Sequence, residues 1–124
     1  MVGGRGVLKK VIELVNGLIG AVSRHGLDKI YKLDRGYYTT VLEPRPGSAG
    51  TKKYKGDDFM VELTRLDRLY GYLRIVKGDC KIEGVLCYRQ WHIEFKPNVV
   101  EGNCKGVGGE APGITVEEIE EVEE

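Results

Sequence analysis

The sequence predicts an α+β domain: an N-terminal helix and a second, shorter helix packed on an antiparallel sheet of about four to five strands, with a flexible acidic tail. Three observations carry this. Apolar residues recur at three- and four-residue steps near the start, strand-like runs alternate between residues 72 and 96, and the composition turns glycine-rich and then acidic at the end. A chain of 124 residues suits one domain, with 1–100 as a basic body and 101–124 as a Gly-rich linker and acidic tail.

Leu8, Val11, Ile12, Val15, Leu18, Ile19 and Val22 form one apolar stripe, which places a helix over roughly 6–24. Gly26 suits the left-handed residue that closes it. Gly17, Gly20 and Ala21 are small enough to let another backbone, or a second copy, approach closely. "DKIYKLDRGYYTTVLEP" reads as a β-hairpin turning at Asp34-Arg35-Gly36. Residues 45–56 read as a polar loop with Arg45, Lys52, Lys53 and Lys55 and no acid.

Residues 58–70 read as the second helix, with Phe59, Leu63, Leu66 and Tyr70 on one face and Asp57 or Asp58 as cap. The rival reading is a strand, because Phe59, Val61 and Leu63 also alternate. Further on, turns are available at Lys77-Gly78-Asp79 and at Glu83-Gly84. The second turn would place Cys80, Ile82, Val85, Cys87, Trp91, Ile93 and Phe95 on one buried face.

Chemistry at a catalytic centre finds little support. His25 and His92 have no neighbouring nucleophile pattern, so the chain is expected not to be an enzyme. Cys80, Cys87, His92 and Cys104 are a legitimate zinc set by type, but their spacing lacks a tight knuckle, so no metal or other cofactor is expected. Two core thiols and one loop thiol in a reducing cytoplasm fit the odd cysteine count better. No run is long and apolar enough for a membrane span, and the start does not read as a signal peptide. One glutamine and three asparagines, with abundant Glu, Lys and Arg, lean toward a thermophile source.

The zero net charge hides an asymmetry. Residues 1–100 hold 18 Lys and Arg against 11 Asp and Glu, whereas 101–124 hold one lysine and eight glutamates. A basic body interleaved with tyrosine suggests nucleic-acid binding, single-stranded DNA or RNA favoured: cations neutralise phosphates and rings stack on unpaired bases. The expected contacts are Lys32, Arg45, Lys52, Lys53, Lys55 and Arg89 for phosphate, and Tyr38, Tyr54 and Tyr88 for stacking. By face, Trp91 and Tyr70 are expected inside. The acidic tail would compete for the groove or recruit a protein partner, a plan similar to that of single-stranded DNA-binding proteins. "GSAG" resembles the G-x-x-G of the KH module at those four positions only, in a different context. The alternative function is an interaction subunit or adaptor in which the N-terminal helix packs against a partner or a second copy, as in a homo-oligomer.

Overall fold

A computed structural model describes residues 4–43, 49–105 and 112–118. The order is α1 (Gly4–His25), β1 (Lys29–Asp34), α2 (Arg35–Leu42), β2 (Gly50–Lys55), β3 (Phe59–Arg65), β4 (Tyr70–Lys77), β5 (Cys80–Tyr88), β6 (His92–Glu101) and β7 (Ile114–Glu118). All pairings are antiparallel, in one seven-stranded sheet of order β2-β3-β4-β5-β6-β1-β7. The α+β class is therefore as expected, with more strands than the sequence suggested.

Helix α1 keeps most of its apolar stripe, but Leu8 and Ile12, expected on it, are exposed, and Leu14 takes a core position instead. Val11, Leu14, Val15, Leu18, Ile19 and Val22 are buried, and the Gly26 N–H donates to the Val22 carbonyl at 2.8 Å with φ +84°. Gly17, Gly20 and Ala21 are buried within the single chain, so they offer no close-packing face to a second copy. The opposing sheet face supplies Tyr31, Leu33, Val61, Leu63, Leu73, Ile75, Ile82, Leu86, Ile93 and Phe95 to the same core. The helices thus cover one face, and among the described residues the other face is open.

The expected hairpin after Lys29 does not form. Asp34 ends β1 and its carboxylate accepts the Tyr37 N–H at 2.8 Å, which starts α2. Tyr38, Val41 and Leu42 then fall on one helical face and are buried. Local capping and this three-to-four spacing outweigh the strand preference of Tyr, Thr and Val.

Residues 58–70 are the converse case. Their alternating reading wins: Val61, Leu63 and Arg65 face inward from β3, and Glu62 and Thr64 face out. Part of the expected loop, 50–55, is edge strand β2. The turn at Lys77-Gly78-Asp79 is present, but Glu83-Gly84 is not a turn. Strand β5 runs straight through it, with a register irregularity against β6. Glycine is needed there, because a Cβ on Gly84 would sit 2.3 Å from the Lys96 carbonyl oxygen.

Strand β6 continues past Pro97 to Glu101, which brings Cys104 back beside the start of β5. Cys80 and Cys104 are joined in a disulfide across 24 positions, leaving Cys87 as a free, buried thiol. This corrects the expectation of two core thiols and a loop thiol, which depended on ending the sheet at Pro97. Residues 114–118, expected within the mobile tail, are a strand paired with β1. Val116 and Ile114 pack on the core, so the ordered body extends beyond residue 100. Residues 106–111 and 119–124 lie outside the described part. Among the described residues, no helix is long and apolar enough to cross a membrane.

Candidate nucleic-acid interface

Most of the expected contact residues do not share a groove among the described residues. Lys52, Lys53 and Lys55 lie on β2, at one edge of the sheet, while Lys32 lies on β1. Five strand spacings separate the two, roughly 24 Å. Lys32 pairs with Glu117, and Lys53 lies 3.5 Å from Glu62. Lys52 sits over the Tyr54 ring at 5.8 Å. Lysines on an open edge also keep that edge from pairing with another chain. Arg45 lies outside the described residues.

The three expected stacking rings are structural. Tyr38 is fully buried, and its hydroxyl donates to the Pro112 carbonyl at 2.7 Å. Tyr88 is 3% exposed and donates to the Leu42 carbonyl at 2.9 Å. Tyr54 is half-buried and donates to the Val41 carbonyl at 3.1 Å. Burial pushes the Tyr88 hydroxyl up to about 12, so it stays protonated. The reason is register: Tyr54 pairs with Val61 and Tyr88 with Ile93, both on the covered face. Tyr38 is on the inward side of α2, an element the sequence reading placed in a strand.

Trp91 and Tyr70 reverse in the same way. Both were expected inside, yet Trp91 is 78% and Tyr70 46% exposed. Trp91 belongs to the turn between β5 and β6, and Tyr70 opens β4 on the uncovered face.

That turn adjoins a concentration of arginine. Strands β1, β3 and β5 end, and β2, β4 and β6 begin, at one end of the sheet. A cleft of about 790 Å³ opens there, lined by Arg35, Arg65, Arg68 and Arg89 together with Glu43, Asp67, Leu69, Tyr88 and Gln90. Its floor is a triad. Arg35 donates to both Glu43 carboxylate oxygens at 2.6 and 2.5 Å, and Arg65 Nη1 donates to Glu43 Oε1 at 3.0 Å. The Arg65 guanidinium lies 3.8 Å from the Tyr88 ring centroid. Arg65 also donates to the Asp67 and Arg68 carbonyls, which ties the β3–β4 turn to the floor.

Burial alone would raise the Glu43 carboxyl. The hydrogen bonds and charges of Arg35 and Arg65 outweigh it and hold the group below the usual carboxylate range. The bonded Glu43 carboxylate in turn raises Arg35, so the Arg35–Glu43 pair stays ionised at neutral pH.

Both flanking turns are built by aspartate. Asp67 accepts the Leu69 and Tyr70 N–H groups at 2.8 Å each, as Asp34 accepts that of Tyr37. The Tyr88 N–H donates to the Leu69 carbonyl at 2.7 Å, and the Arg35 N–H to the Trp91 carbonyl at 3.3 Å. Leu-Asp-Arg occurs twice, at 33–35 and 66–68. In each copy the aspartate fixes a turn at this end and the arginine lines the cleft. That repeated tripeptide was the available signal for a site the sequence reading missed.

Elsewhere on the open face, several cations are answered in place. Lys53, Glu62, Arg74, Glu83 and Lys81 form a ladder across β2 to β5, with steps of 3.5, 3.7, 3.4 and 3.0 Å. His92 and Arg89 share Glu94 on β6. Comparisons with protein-family models, with curated proteins and with solved structures return no match.

Proposed function

We propose that this protein binds nucleic acid without catalysing a reaction, single strands being favoured, and that it does so at the arginine-lined end of the sheet. The observation that carries this reading is the meeting of uncompensated guanidinium with exposed rings on two adjoining turns. Four guanidiniums and two carboxylates line the cleft, and Arg68 has no side-chain partner among the described residues. Trp91 and Tyr70 stand exposed on the same turns, where an unpaired base can stack for roughly 1–3 kcal/mol. Of the residues singled out in the sequence, Arg89 remains in this interface as a cation and Tyr88 as part of its buried floor. Lys52 and Lys55 lend positive charge along the sheet edge, whereas Lys53 is answered by Glu62. A cytoplasmic location in a thermophile belongs to the same reading, since intracellular disulfides occur in hyperthermophiles.

Trp91 is the only tryptophan in the chain, so its fluorescence reports on the site directly. Titration with oligothymidylate should quench it, with an affinity that falls steeply as salt rises. Unchanged emission, or binding indifferent to salt, overturns the reading. A second reading, a protein-interaction subunit, is favoured by Leu66 and Leu69, which flank Arg68 on the β3–β4 turn and are 61% and 58% exposed. An oligomer by light scattering that ignores every oligonucleotide would select it.

A further inference from the structure

We infer that the cleft receives a phosphomonoester, the group at a strand end or on a mononucleotide, in preference to an internal phosphodiester. This rests on the nucleic-acid reading above and narrows it from a general polyanion to a strand terminus.

The first support is charge. Two guanidiniums share the single Glu43 carboxylate, and the Arg65 and Glu43 side chains are 6% and 3% exposed. Positive charge is therefore held in excess where water screens it little. Arg68 adds to it, and Tyr88 contributes no negative charge because its phenol stays protonated. Asp67 offsets part of this from the β3–β4 turn, and Glu94 stands behind Arg89 at 3.5 Å, outside the lining. A phosphomonoester carries about −1.5 to −2 at neutral pH, against −1 for a diester, so it gains more from this excess.

The second support is donor supply. Arg35 uses three contacts, two to Glu43 and one to the Arg89 carbonyl, out of five guanidinium N–H groups. The remainder, with the whole Arg68 guanidinium, can take phosphate oxygens in the forked manner that suits arginine.

The test is fluorescence anisotropy with base-labelled oligothymidylates bearing a 5′-phosphate, a 3′-phosphate or hydroxyls at both ends. One phosphorylated form should bind wild type on the order of tenfold tighter than the hydroxyl-ended form. Arg68→Gln, a change at an exposed side chain, should erase that preference, so that the phosphorylated and hydroxyl-ended forms bind alike. Thymidine monophosphate as competitor separates the two sources: displacement at low concentration assigns the recess to the free nucleotide, and resistance assigns it to the strand end. Equal binding of all three oligonucleotides overturns the phosphomonoester assignment and leaves the nucleic-acid reading intact. Binding to none overturns both.

Discussion

The open face of the sheet and its arginine-lined end hold similar charged residues in opposite arrangements. On the open face, Lys53, Arg74 and Lys81 alternate with Glu62 and Glu83 across neighbouring strands, so each cation meets a carboxylate at 3.0–3.7 Å. At the end, Arg35 and Arg65 share Glu43, and Arg68 has no side-chain partner among the described residues. The contrast teaches that a count of lysine and arginine says little about where an anion will sit. What matters is whether strand register has already placed a carboxylate opposite each cation.

The largest expected difference between the two regions is in stability. Glu43→Ala would leave two guanidiniums facing each other, one of them buried, and should cost about 3–5 kcal/mol in urea unfolding. Glu62→Ala on the open face should cost less than about 1 kcal/mol, because its partners are exposed and screened. Similar losses at the two positions would break the comparison. Binding comes next. Arg68→Gln should weaken a terminally phosphorylated oligonucleotide roughly tenfold, whereas Arg74→Gln should change it by less than about twofold.

Acid titration sharpens the contrast further. Glu43, Glu83 and Glu94 are all held below the ordinary carboxylate value of 4.5. For Glu83 the largest cause is the hydrogen bond from Lys81, which outweighs burial; for Glu94 burial opposes the shift and His92 and Arg89 overcome it. The unfolded chain takes up protons first as pH falls, so the stability these groups contribute is complete above the unfolded value and is lost as pH drops through the folded ones. The melting temperature should therefore hold steady from neutral pH to the mid-fives and fall below about 4.5. Glu43→Gln should be less stable throughout and show a shallower acid decline. The smallest effect concerns counterions. Arg68→Gln should lower the slope of log affinity against log salt by about one, and Lys53→Gln should leave it unchanged.

Legibility followed the length over which a pattern had to hold. Helix α1 carries six buried apolar residues in one stripe and a left-handed glycine stop, and it was read nearly to its ends. Residues 35–42 and 58–70 each satisfied two periods. The first resolved as helix because Asp34 caps it and Tyr38, Val41 and Leu42 share a face. The second resolved as strand because β4 pairs with it from Phe59 to Arg65. A partner strand is not visible in a local window. Placing a turn at Glu83-Gly84 cut β5 in half and carried Trp91 to the wrong side. The same early stop at Pro97 hid the Cys80–Cys104 bond.

The chain's own order of residues determined the α+β class, helix α1 with its closing glycine, and the turn at residues 77–79, because those depend on contacts a few positions apart. Tertiary structure alone decided which tyrosines are core, which carboxylate answers which cation, and that Arg35, Arg65, Arg68 and Arg89 gather round one cleft. Those four positions come from the start of a helix, a strand end and two separate turns, and only the register of a seven-stranded sheet brings them together.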